Sequence, residues 1–190
     1  MTDLEHLRPR RPHRADAGRN FDAILAAARS AYAELGAGVS LEEIARRAGV
    51  GIATLYRHFP TREQLIENVY FAEVEDICTA ADDVADLDPG QALTAWLRRF
   101  VGYIGAKRTL INELNRESEM FKGCRGALYA AGGPLLARAQ EQGRVRPDVT
   151  IDDVMRMVSG IASVEFADAA QRDHVLAVAL DGLGVTPAAS

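Results

Sequence analysis

Three features of this 190-residue chain predict an all-α fold. Apolar residues recur with a period near 3.6 rather than 2 in nearly every patterned segment. Ser or Thr followed three positions later by Glu, Gln or Asp opens several of these segments, as expected where a side chain caps a helix N-terminus. Gly and Pro close them, because Gly reaches the left-handed cap conformation and Pro cannot continue a helix. No strand-like alternation and no internal repeat stands out.

The elements follow in order. Phe21, Ile24, Leu25, Ala28, Tyr32 and Leu35 fall on one helical face, which should end at Gly36. Ser40 and Glu43 form a capping box opening a short second helix, with Leu41, Ile44, Ala45 and Ala48 as its buried stripe. Gly49, Val50 and Gly51 break it, and a third short helix spans about 52–58. Phe59 and Pro60 end that helix, since the residue before Pro is pushed out of the α region. Thr61 and Gln64 cap a long fourth helix reaching about 82, with Leu65, Val69 and Ala72 on one face. Asp88 and Pro89 read as N-cap and first helical residue of a helix carrying Leu93, Trp96, Leu97, Phe100, Val101 and Ile104. Residues 105–125 are helical in character, with breaks that the pattern does not locate. A helix over 127–142 contains Gly132, Gly133 and Pro134 as an expected kink or break, with Gly143 as its cap. Thr150 and Asp153 cap a helix with Ile151, Val154, Met155, Val158 and Ile161. The last helix, about 169–183, carries His174, Val175, Val178 and Ala179 before a frayed tail at 186–190.

Charge is unevenly distributed. The net charge is −5, yet residues 1–60 hold nine Arg against seven acids, while the remainder holds thirteen Lys or Arg against twenty. Arg8, Arg10, Arg11, Arg14 and Arg19 form a basic arm opposed only by Asp16. Such a distribution, rather than the net sum, is what nucleic-acid binding requires. Taken alone, the arm is a solvated, disordered tail. Cys78 and Cys124 have no second Cys or His at metal-ligand spacing, so they are expected to be buried free thiols, with no metal or cofactor. No apolar run approaches the roughly 18–20 residues of a membrane span, and no apolar signal segment follows the first charges, which points to a cytoplasmic location.

The functional constellation lies at 40–59. Two short helices joined by a Gly-containing turn make a helix-turn-helix. Ala45 is small where the helices cross, Gly49 suits the left-handed turn, and Val50 and Leu55 can pack onto Ile44 and Ala48. Gly51, Ile52, Ala53, Thr54, Tyr56, Arg57 and His58 are then candidates for an outer face. No acid occurs between Ala45 and Pro60, so nothing there repels phosphate in a major groove.

The run from Gly49 through Leu65, with Leu55, Tyr56, His58 and Phe59 at its centre and Ser40, Leu41, Ile44 and Ala45 before it, resembles the signature of the tetracycline-repressor (TetR) family. The match covers about residues 19–66. It implies three N-terminal DNA-binding helices, joined by a long fourth helix to an all-α regulatory and dimerisation domain. The domain boundaries that follow are a disordered arm at 1–18, a helix-turn-helix domain at 19–66 and a ligand-binding and dimerisation domain at 67–190. The resemblance also implies that Ile52 and Ala53 face base edges. It implies phosphate contacts for Thr54, Tyr56 and His58, with Ser40 and Arg62 near phosphates; the residues themselves add Thr61, which the capped fourth helix points toward the same side, and Arg14 and Arg19 of the basic arm. The sequence departs from the family at Gly51, where Ser or Thr is usual. Ile52 and Ala53 are apolar and make no bidentate hydrogen bond, which shifts specificity toward Arg57, the arm and DNA shape.

In the second half, Trp96, Phe100, Tyr103, Met120, Phe121, Tyr129, Met155 and Phe166 are candidates either for an effector cavity or for an aromatic and Met core. The resemblance implies a homodimer through the last two helices, with Met155, Val158, Ile161, His174, Val175 and Val178 as interface candidates. Segments near Leu135 and Arg146 resemble an actinobacterial-type regulator subgroup. His174 lacks partners for acid–base chemistry, and no clustered nucleophile and base is present, so an enzyme is not expected. The function predicted is a repressor released from a palindromic operator by a small-molecule effector. The alternatives are a helical interaction module and a regulator without an effector.

Overall fold

The computed structural model describes residues 4, 8, 11–106 and 114–184. Among them run eight helices and no strand: α1 (Ala15–Leu35), α2 (Leu41–Arg47), α3 (Ile52–His58), α4 (Arg62–Asp83), α5 (Pro89–Ala106), α6 (Glu119–Glu141), α7 (Ile151–Ala162) and α8 (Ala169–Gly182). The all-α class is therefore as predicted. Arg10 of the arm, residues 107–113 of the 105–125 stretch and the tail at 186–190 lie outside the described residues. No helix among the described residues is long and apolar enough to cross a membrane.

The helices divide into two compact units, separated within α4 between Glu73 and Val74 and again between Gly123 and Cys124. In the first unit, α1 packs on α2 and α3, and α2 on α3. Ile24, Ala28, Ile44, Leu55 and Leu65 are fully enclosed there. A carboxylate reinforces this packing. Glu73 on α4 accepts from the Arg29 guanidinium on α1 at 2.9 Å and is almost wholly buried. In the second unit α5 packs on α7 and α8, and α7 on α8. Its core holds Leu93, Trp96, Leu97, Cys124, Val154 and Val158.

The caps account for most helix ends. Gly36 closes α1 at φ 77°, Gly49 makes the α2–α3 turn at φ 69° and Gly143 follows α6 at φ 65°. After α6 the amide of Arg144 donates to the Ala139 carbonyl at 2.8 Å and that of Gly143 to Gln140 at 2.9 Å. This Schellman pair satisfies carbonyls that a helix end leaves open. At α7 the capping box is complete: Thr150 accepts from the Asp153 amide, and the Asp153 carboxylate accepts from the Thr150 amide at 2.9 Å. At α2 only half of it forms. Ser40 Oγ accepts from the Glu43 amide at 3.2 Å, but the Glu43 carboxylate is drawn away by two guanidiniums, Arg46 and Arg47, each at 2.8 Å. These ion pairs hold the Glu43 carboxyl down to about 2.

Several expectations are corrected. The arm does not extend as a tail to residue 18, because α1 begins at Ala15 and Gly18 is buried. Arg11 lies across Gly18 and makes a fork to the Asp22 carboxylate at 2.9 and 2.5 Å. Leu35 is 56% exposed, because the buried face of α1 ends one turn earlier at Tyr32. The Gly132-Gly133-Pro134 segment does not end a helix; α6 runs through it. Pro134 is exposed, and the bulky neighbour of Gly132 is Trp96, whose ring approaches where no side chain projects.

Candidate nucleic-acid interface

Recognition would fall to α3, and its seating follows from two apolar residues one turn apart. Leu55 is completely buried and Phe59 is 1% exposed, with the Phe59 ring 5.0 Å from that of Phe21 on α1. Fixing this inner face turns the rest of the helix outward. Gly51, Ala53, Tyr56 and Arg57 are exposed, and Ile52 and Thr54 are half-buried. Gly51 occupies the N-cap in an extended conformation (φ −71°, ψ 148°) with no side-chain cap, as its lack of a hydroxyl dictates. The open amides of the first turn are therefore left to solvent or a ligand. Ser40 and Thr61 are exposed at the starts of α2 and α4, where Thr61 Oγ1 accepts from the Gln64 amide at 3.2 Å.

The three arginine candidates outside α3 are placed differently. Arg14 is exposed at the N-cap of α1. Arg19, also exposed, is paired with Asp16 one turn away. Arg62 is turned back into the protein: its two terminal nitrogens donate to the carbonyls of Ala37 at 2.6 Å and Val39 at 2.5 Å. Two of its nitrogens are thus engaged by backbone carbonyls of the α1–α2 loop. Sequence spacing identified Arg62 as a first-turn cation, but its acceptors lie 23 and 25 residues earlier and carry no side-chain signature.

His58 is half-buried at the end of α3. Its ring stands edge-on to Phe21 at 6.3 Å and 72°, and its Nε2 is buried without a hydrogen-bond partner. Burial, aided by the charge of Arg57, lowers its pKa from the usual 6.5. The ring is half-buried and packs against Phe21. A lowered value means that the folded protein binds fewer protons than the unfolded chain near pH 6. The contribution of His58 to stability is thus complete above about 6.5 and declines as pH falls below it. Urea midpoints at pH 7.5 and 5.5 are expected to differ more in the wild type than in His58→Leu. Equal differences would remove His58 as the source.

The effector candidates separate in the same way. Trp96 is fully buried, donates from Nε1 to the Ile77 carbonyl at 3.0 Å and stacks with Phe100 at 6.2 Å. Met155 is 2% exposed. These three are core residues, because each is enclosed by neighbouring side chains or backbone. Tyr103, Met120, Phe121, Tyr129 and Phe166 are half-buried. Phe121 stacks on Tyr70 at 5.6 Å, and Tyr129 donates to Asp152 at 2.9 Å beneath the Arg125 guanidinium. Of the dimer candidates, Met155 and Val158 are enclosed within the chain and unavailable to a second copy. His174, Val175 and Val178 are exposed on α8, and Ile161 is half-buried on α7. Leu176 and Leu180, which periodicity did not single out, are the residues that seat α8.

Comparison with known proteins bears on the same residues. Residues 24–69 match the family described as bacterial regulatory proteins, tetR family, and residues 88–185 match the SbtR-like transcriptional regulator C-terminal domain. A TetR transcriptional regulator of Streptomyces coelicolor is 38% identical, with 88% of this chain and 99% of that one covered and a TM-score of 0.72. A TetR regulator of Mycobacterium vanbaalenii is 36% identical over 90% of this chain and 99% of that one, with a TM-score of 0.69. RolR, solved in complex with resorcinol, shares the fold at 23% identity, covering 91% of this chain and 92% of that one with a TM-score of 0.62. With a helix-turn-helix seated on α1 and both halves matched, the chain belongs to the TetR family and is a transcriptional regulator with an N-terminal DNA-binding domain.

Proposed function

We propose that this regulator is a homodimeric repressor that binds a palindromic operator and is released by a small-molecule effector. The observation that carries the DNA side is the outer face of α3, where Ala53, Tyr56 and Arg57 are exposed and no acid intervenes. Ile52 and Ala53 offer apolar contact to thymine methyl groups, and Arg57 offers the bidentate donor that favours guanine. Tyr56, Thr54, Ser40 and Thr61 then contact phosphates, and the open amides at Gly51 favour an anion at the start of α3. Arg14 and the rest of the arm supply salt-sensitive affinity. The DNA-binding region in this reading starts with α1 at Ala15 rather than at residue 19.

Exposed Val175, Val178 and His174 on α8, with Ile161 on α7, support a helical dimer interface. Two recognition helices about 34 Å apart would meet successive major grooves. The effector reading draws on the family and on RolR with its bound resorcinol. A coupling of about 1–3 kcal/mol between effector and DNA suffices for release.

The test is selection of duplexes from a random-sequence library by the purified chain, followed by anisotropy titration. Recovery of a palindrome bound far more tightly than mixed-sequence DNA is expected; selection of no sequence would sink the reading. Tyr56 is 46% exposed, so Tyr56→Phe should leave the melting temperature unchanged. Losing a hydrogen bond to a charged phosphate should weaken binding by about 1.5 kcal/mol per protomer, close to tenfold. Unaltered affinity would remove Tyr56 from the interface.

A further inference from the structure

We infer that Arg62 is a positioning residue for DNA recognition: its guanidinium ties the start of α4 to the α1–α2 loop and sets the stance of α2 without touching DNA. The inference rests on the proposed operator binding and adds a residue whose part in it is indirect. The Val39 carbonyl, which accepts from Arg62 at 2.5 Å, belongs to the peptide that leads directly into Ser40, the N-cap of α2. The Ala37 carbonyl, which accepts at 2.6 Å, lies two residues before it. One rigid fork thus holds two peptide planes of the same loop.

The loop has little stiffness of its own. It contains Gly36, at φ 77°, and Gly38, whose Cβ position is open space. Its internal backbone bond, from the Val39 amide to the Gly36 carbonyl, is long at 3.4 Å. By contrast Arg62 is well anchored. It is the first residue of α4, behind the Thr61 cap, and the enclosed Leu65 and Ile66 follow one turn later. The loop geometry is therefore transmitted from α4 through the guanidinium. Lysine would supply a point charge but not the fork, so it should not substitute.

The experiment compares wild type, Arg62→Lys and Arg62→Gln on the duplex selected by the wild-type chain and on a mixed-sequence duplex, across a salt series. Both variants are expected to bind the selected duplex at least tenfold more weakly. Their affinity for mixed-sequence DNA should stay within about twofold, and its salt slope should not change. Adding Gly38→Ala to Arg62→Lys stiffens the loop at a position with room for a methyl group and should recover part of the lost affinity. Thermal melts establish that each variant is folded at the temperature used. Two outcomes overturn the inference. In one, Arg62→Gln lowers the salt slope by about 0.9 per contact while Arg62→Lys behaves as wild type, which makes Arg62 a phosphate contact. In the other, both folded variants keep full affinity for the selected duplex, which makes the tie irrelevant to recognition. Selection of a palindrome by the wild type keeps the proposed function intact in either case.

Discussion

Phe59→Ala is expected to lower the stability of the DNA-binding unit by about 3–5 kcal/mol and to abolish operator binding at ordinary protein concentrations. Phe59 is 1% exposed, and its ring lies 5.0 Å from Phe21. Its amide also closes α3 by donating to the Leu55 carbonyl at 2.8 Å. Truncation removes the ring, leaves a cavity beside Phe21 and His58, and frees the end of the helix that carries Tyr56 and Arg57. A unit with so few enclosed side chains has little reserve, since small domains bury a low fraction of their surface. Amide hydrogen exchange in α1, α2 and α3 should quicken on the order of a hundredfold or more, while α7 and α8 change little. Uniform, slight acceleration across the chain would show that Phe59 does not anchor the unit.

Gly132→Ala should destabilise the second unit by about 1–3 kcal/mol, even though alanine is worth roughly 1 kcal/mol more than glycine in a helix interior. A Cβ at this position would stand 2.6 Å from two ring carbons of Trp96 and 3.0 Å from the Ile151 methyl. Trp96 has nowhere to retreat: it is fully enclosed, and its indole nitrogen is held by the Ile77 carbonyl at 3.0 Å. The clash can be isolated with a double-mutant cycle. Trp96→Phe removes the outer indole carbons, so Gly132→Ala in that background should cost less than about 1 kcal/mol, or become favourable as helix propensity prevails. Equal costs in the two backgrounds would place the strain elsewhere.

The two glycines of the middle of the chain show how far sequence alone reaches. Gly143 was legible as a cap because a positive φ after a helix is a local requirement. The sequence presents Gly132, with Gly133 and Pro134, as a kink or break, whereas the structure makes it a contact point for a tryptophan 36 positions earlier. His58 and Arg62 repeat the contrast. Their types and spacing place His58 at the end of the recognition helix and Arg62 just beyond it, but their partners are Phe21 in α1 and two backbone carbonyls in the loop after α1.

By itself, then, the sequence determined the all-α class, the bounds of α3, the left-handed turn at Gly49 and the caps at Asp88 and Thr150. Each of these is a local matter of period, hydroxyl placement or φ, and needs no distant residue. Tertiary structure alone decided how the polar groups sit: Tyr56 and Arg57 are exposed, whereas His58 is half-buried against Phe21 and the Arg62 guanidinium is bonded to the carbonyls of Ala37 and Val39. It also decided that Leu176 and Leu180, not Val175 and Val178, seat α8. Orientation of that kind depends on what packs behind a helix, and a periodic pattern specifies a face without saying against which neighbour it closes.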